Sequence, residues 1–444
     1  MTIDLLQKRQ VLATNQLNEH GQIVDQSILS KERYKFGFVN ILFQGEELGL
    51  VPIYTVIVRA LGGNATHIGI CGAFNSIHSV VQWVGALLLK RYNSNRKAMS
   101  VGLWAGALCA LTVCILILLG LNPALKVCSL WGYLIFGLLL AGISGVLWNI
   151  ETSWIGDLVP KQMLGWFSSM KWIVAAFGLL CFTMIFGKLA DISPSLPIYA
   201  GLFLIVAISH VIGVLLVSTI IDRVPKNANF IYSGASHHER LNYTSLPLWC
   251  YIIFYICWGS GRTAMLAFTT AYLLDQFHYS MTTIASLFAI QSVIIMILLF
   301  FLGKVSDKYG NRMPLILISA VVSCAMLLWV ASAWWGIVPI IIYQFINGAA
   351  GQTHSMLGIN YGLEIFPDKG RAGYFGFARI IIGIISVTTV MFTGRILRSI
   401  EGFQYTLWGG QINHYHVFFA GCSLVALCCI IPLLIAGKRV VHAV

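Results

Sequence analysis

Charge is what this sequence has least of. Asp, Glu, Lys and Arg make up 10% of its 444 residues while 58% are hydrophobic, which excludes a water-soluble fold, because no interior of that size could hold so much apolar side chain. The fingerprints of catalysis are missing too. There is no nucleophile elbow, phosphate-binding glycine loop, dinucleotide fingerprint or paired metal-ligand cluster, so the sequence gives no support for an enzyme, a metal site or a cofactor. The 11 Cys show neither zinc nor redox spacing and fall mostly inside apolar runs, as at Cys109, Cys114, Cys181, Cys428 and Cys429, where they read as small apolar residues. Lys8 and Arg9 are followed by no apolar core within the polar first thirty residues, so no cleaved signal peptide is predicted.

What the chain has instead is long apolar runs, with a mean hydropathy of +0.81. Runs of roughly 20 residues, interrupted at charged, Pro or Gly positions, predict about twelve membrane-spanning helices. They fall near 34–58, 67–89, 98–120, 129–156, 165–187, 197–221, 247–272, 281–302, 313–333, 337–362, 373–395 and 415–437. Sorting the connections by side puts twenty of the 28 Lys and Arg with the N-terminus and five, including Arg59, Arg395 and Arg398, opposite; Lys171, Arg262 and Arg379 fall within spans. That asymmetry predicts cytoplasmic termini in a multi-pass protein of the plasma (inner) membrane. The net charge of +12 thus reads as topology and contact with the bilayer, with no nucleic-acid partner expected.

The hydrophilic stretch from Asp222 divides the spans six and six. The expected layout is a cytoplasmic tail (1–33), a first six-helix half (34–221), a cytoplasmic linker (222–246), a second half (247–437) and a short tail (438–444). An internal repeat supports two halves: Gly142, Gly145 and Gly156 recur 206 residues later as Gly348, Gly351 and Gly362. Just beyond, Gly165 and Lys171 correspond to Gly373 and Arg379 at a shift of 208.

Between the eighth and ninth spans stands the charged stretch Gly303-Lys304-Val305-Ser306-Asp307-Lys308-Tyr309-Gly310-Asn311-Arg312. It reads as a short hydrophilic turn, with Asp307 suited to cap a helix and Lys308 and Arg312 to hold headgroups. It resembles the signature loop of the major facilitator superfamily at Gly303, Asp307, Lys308, Gly310 and Arg312, while Asn311 departs from it. The corresponding stretch of the first half, Gly85 to Lys97, keeps the glycine and cations and lacks the Asp. The resemblance implies an all-α membrane protein of two pseudo-symmetric six-helix halves, driven by a proton or ion gradient.

An ionisable side chain inside a span costs a few kcal/mol unless paired or wetted, so each marks a candidate site. Glu46 and Glu47 lie about 18 Å into the first span, among Gly45, Gly49 and Pro52. One of them is the candidate for proton coupling, Glu47 ahead of Glu46 because it aligns nearer Arg262 in the repeat. Glu151 and Lys171 fall at one depth on antiparallel spans and read as a structural ion pair. Leu357 stands where Glu151 would recur, so Arg379 is left to attract an anion or to pair across the halves. Asn149, Gln352 and His354 are further candidates for lining a cavity, although most such polar groups only join helices.

Together with the resemblance, these residues imply a transporter of a small organic solute, expected to be a monomer and coupled to protons, with export as the first reading. The alternatives are import of a small anionic metabolite, or a receptor or scaffold that kept the fold and lost transport. Uncompensated charge in the bilayer argues against a scaffold. The fifth span carries no Pro and the linker no sugar-importer signature, so the substrate is open.

Overall fold

The computed structural model describes residues 22–45, 50–160, 163–222, 244–309, 311–366 and 371–440. The first pass is α1 (Gln26–Asn40), which runs on as a π turn (Ile41–Gly45), followed by a 3-10 turn at Pro52 and α2 (Tyr54–Ala60). The second pass is built from three pieces, α3 (Ala65–Gly72), α4 (Phe74–Val80) and α5 (Gln82–Tyr92). Four longer helices complete the first half: α6 (Asn95–Leu119), α7 (Lys126–Leu158), α8 (Leu164–Ile192) and α9 (Leu196–Ser218). In the second half α10 (Leu246–Phe277) and α11 (Met281–Tyr309) precede the paired α12 (Arg312–Ala325) and α13 (Leu328–Trp335). Then come α14 (Val338–Ile365), α15 (Arg371–Ser399), the strands β1 (Gln404–Leu407) and β2 (Gly410–Asn413), α16 (His414–Leu427) and α17 (Ile430–Val440). Among the described residues these helices group into twelve passes in two sets of six.

Helix is the form such a sequence must take in lipid, where every backbone group has to be satisfied within its own segment. Among the described residues seven helices are long and apolar enough to cross a membrane alone, and Val51–Ala60, Met281–Ile297 and Val338–Gly351 add shorter apolar stretches. Large apolar side chains such as Leu108, Val127, Leu215 and Leu317 point outward, as a lipid-facing surface requires.

Two boundaries differ from expectation. The first helix begins at Gln26 rather than near 34, because the Asp25 carboxylate accepts the Ser27 N–H at 2.8 Å and nucleates two polar turns ahead of the apolar run. The charged stretch at 303 is not a turn from its start: α11 continues through Tyr309. No proline stops it, and Lys304 and Asp307 stand three residues apart, the helical spacing that favours opposite charges. The two-stranded hairpin, with Trp408 and Gly409 at positive φ in its turn, is an element the hydropathy did not foreshadow.

The halves meet along two seams, α8 against α11 and α15 against α3 and α4. At the second seam the backbones nearly touch: a Cβ on Gly69 would lie 2.9 Å from the Gly394 nitrogen, so no side chain fits there. Glycine is likewise needed at Gly187, where a Cβ would meet Ala285 at 2.6 Å. The repeated glycines of the sequence sit at repeated crossings, Gly145 against the His78 carbonyl and Gly348 against Gln291.

The apolar core is asymmetric along the axis of the bundle. Away from the face where α1 begins and α17 ends, one buried cluster takes in both halves, from Ile53, Ile57 and Phe186 to Phe268, Ile284 and Trp329. At the terminal face the core is split. Phe36, Trp154 and Phe167 belong to a cluster of the first half, whereas Tyr251, Leu357 and Tyr361 belong to a separate cluster of the second.

Candidate functional site

In the first half Glu151 and Lys171 neutralise one another. Lys171 Nζ lies 3.0 Å from Glu151 Oε2, and the same oxygen accepts from Asn40 Nδ2 at 3.0 Å. Their side chains are 4% and 1% exposed, so α1, α7 and α8 are tied together by charge-assisted bonds in low dielectric. Glycine makes that approach possible, since a Cβ on Gly37 would strike Val174 at 2.8 Å.

The polar groups of the second half form a chain. Arg262 Nε donates to Asn347 Oδ1 at 3.3 Å, Asn347 Nδ2 donates to Gln291 Oε1 at 2.9 Å, and Gln291 Nε2 donates to Gln344 Oε1. This chain links α10, α14 and α11. Beside it His354 is stacked on Trp258, with ring centroids 4.1 Å apart and an interplanar angle of 14°, and lies 5.5 Å from Phe254. Its Nε2 is buried without a hydrogen-bond partner among the described residues.

Between the halves is a cavity of about 190 Å³, lined by Ser76 and Ser79 of α4, Tyr251, Tyr255, Gly259 and Thr263 of α10, and Arg379, Ile382, Gly383 and Ser386 of α15. Arg379 is eight residues into α15, roughly 12 Å from its start. It makes no hydrogen bond or ion pair among the described residues. Hydroxyls surround it, and no Asp or Glu among the described residues lines the cavity.

Other sequence candidates fall elsewhere. Asn149 packs where α5 crosses α7, its Cβ 3.1 Å from where one on Gly85 would lie. Arg312 Nη2 donates to the Leu433 carbonyl at 2.9 Å, tying α12 to α17. Glu46, Glu47 and Gly310 lie outside the described residues, as do the side chains of Asp307, Lys308 and Gln352 and that part of the loop beginning at Gly303.

Sequence reasoning missed a clamp at the face opposite the termini. Arg59, ending the first pass, makes two 2.8 Å bonds to the two oxygens of Asp275, ending α10, and Tyr415 Oη donates to Asp275 Oδ2 at 2.6 Å. A second link crosses the other seam, where the Asp191 carboxylate at the end of α8 accepts the Met281 and Thr282 N–H groups, each at 2.7 Å. It caps the positive end of α11. A signal existed: with Gly45 set against Gly259, Asp275 falls two positions from Arg59, so opposite charges end equivalent helices.

Among the described residues, twelve helical passes in two halves, locked together at one face and parted by a polar cavity, define the architecture of a multi-pass membrane transporter. The chain belongs to the Major Facilitator Superfamily, whose family model matches residues 36–357 and again 249–442. Among curated proteins it is similar to the "Tetracycline resistance protein, class H" of Pasteurella multocida, 23% identical over 297 residues, covering 64% of this chain and 69% of that one. Solved transporters share the fold. The nucleoside transporter NupG aligns with a TM-score of 0.64 at 14% identity, covering 93% of this chain and 99% of that one. A POT family transporter in complex with 5-aminolevulinic acid aligns at 0.67 with 12% identity (96% and 99% covered), and a D-xylose-proton symporter at 0.64 with 16% (91% and 97% covered).

Proposed function

We propose that this protein is a secondary active transporter that moves a small organic solute by exposing the cavity between its halves first to one face and then to the other. The observation that carries this reading is the lengthwise asymmetry of the core, joined between halves at the clamped face and split at the terminal face. Opening the clamped face requires the Arg59–Asp275 pair and the Asp191 cap to separate, and both are interactions between halves that rocking would break. The halves we assign to residues 34–221 and 247–437, with both termini cytoplasmic in the plasma (inner) membrane and a monomer as the working unit.

Proton coupling is assigned to Glu46 or Glu47, Glu47 first. Proximity to Arg262 would decide whether a carboxylate at that depth is protonated or ionised, and rocking would change that proximity. The likeness to a proton symporter supports the coupling ion. In proteoliposomes with an imposed pH gradient, a panel of nucleosides, sugars and amino-acid-like solutes should include one that accumulates. Glu47→Gln should abolish accumulation while leaving exchange intact. Flux of every solute no faster than in protein-free liposomes would contradict transport, and accumulation surviving in both Glu→Gln variants would remove the coupling role.

A further inference from the structure

We propose that the cavity between α4, α10 and α15 is an oxyanion subsite, in which Arg379 holds the carboxylate or phosphate of a small hydroxylated organic anion. This names the class of solute and rests on the transporter reading above.

The first argument is charge. A guanidinium roughly 12 Å into a membrane helix is costly unless something offsets it, yet among the described residues Arg379 has no hydrogen-bonding or ionic partner and no carboxylate lines its cavity. The repeat shows what is missing. Lys171, its counterpart, is offset by Glu151 at 3.0 Å, and the position equivalent to Glu151 is Leu357, 2% exposed within the second half's apolar cluster. The backbone around that position is drawn close to the cavity, because the Tyr255 hydroxyl rests against Gly358 where a Cβ would stand. An anion entering the cavity therefore does for Arg379 what Glu151 does for Lys171.

The second argument is the lining. Ser76, Ser79, Tyr255, Thr263 and Ser386 present hydroxyls around one fixed cation, and an oxyanion can accept from all of them while the planar guanidinium binds it bidentately. Hydroxyls also accept, so the solute's own O–H groups are matched. Size is the third argument. About 190 Å³ is below the roughly 300 Å³ at which drug-sized sites begin, so a compact anion fits better than a drug.

The test heats purified full-length protein with lactate, glycerol phosphate, uncharged glycerol and cationic choline. One or both anions should raise the unfolding midpoint by about 2 °C at roughly ten times Kd, and glycerol and choline should leave it unchanged. A response to lactate alone or to glycerol phosphate alone tells carboxylate from phosphate. Arg379→Gln should remove the shift and Arg379→Lys should keep part of it. A second measurement needs no ligand: Ser386→Cys should react about tenfold faster with a sulfonate-bearing than with a trimethylammonium-bearing methanethiosulfonate, and Arg379→Gln should bring the two rates together. A flat thermal response with equal labelling by the two reagents, or no labelling by either, overturns the subsite. Liposome flux of an uncharged solute that Arg379→Gln leaves unchanged overturns it too, with transport left standing. Anion-selective stabilisation and labelling without flux leaves the subsite standing and removes transport instead.

Discussion

Lys171 and Arg379 stand at corresponding positions of the duplicated helices, yet Lys171 is buried against Glu151, which also accepts from Asn40, while Arg379 faces a cavity lined by hydroxyls. Besides lysine against arginine, the change that separates them is the carboxylate of Glu151 against the isobutyl group of Leu357. A buried pair is self-contained, so the first half can turn as a rigid body around α1, α7 and α8. Leucine in place of glutamate seals the core on one side of α14 and leaves the cation facing outward. Duplicated helices thus acquire different tasks through a substitution at the position that decides where a charge finds its partner.

The largest effect that bears on this contrast is expected in the first half. Glu151→Leu should destabilise the protein by about 3–5 kcal/mol, because it strands Lys171 in low dielectric, while Glu151→Leu with Lys171→Leu should recover most of the loss. Thermal unfolding of the two single variants and the double variant gives the coupling. Strictly additive losses would show that the pair does not interact.

The contrast sharpens at the clamp. Arg59 and Asp275 are each about one third exposed (36% and 35%), so a double-mutant cycle should return a coupling of only about 1 kcal/mol. A small static energy is what a gate needs, since a strong one would freeze the cycle. Asp275→Asn should therefore leave folding nearly unchanged and speed labelling of Ser386→Cys from the face opposite the termini. Unaltered labelling from that face would mean that the pair does not hold it shut.

Much of this was legible in the residues. Hydropathy located the passes because a long apolar run in lipid has one backbone solution, the helix, and the glycine repeat announced the duplication because close crossings tolerate no Cβ. Glu151 and Lys171 could be matched by depth alone, since both lie on long regular helices. The clamp was hidden, because a charge at a helix end reads as topology until its partner across the seam is known. The hairpin was hidden for another reason: four-residue strands such as Gln404–Leu407 leave no periodicity to detect. Nor could the sequence say that Arg262 is held by Asn347 or that His354 is stacked on Trp258, because which faces of α10 and α14 meet is settled by packing across some 90 residues.

The most direct measurement is uptake into proteoliposomes of whichever oxyanion probe stabilises the wild type. It compares Arg379→Gln with a first-half variant carrying both Glu151→Gln and Lys171→Gln, each checked for a single folded species. Uptake should fall at least about tenfold in Arg379→Gln, the loss of one charge-assisted contact, and stay near wild type in the first-half double variant. Equal loss in both, or loss only in the first half, would contradict the assignment of the solute to Arg379.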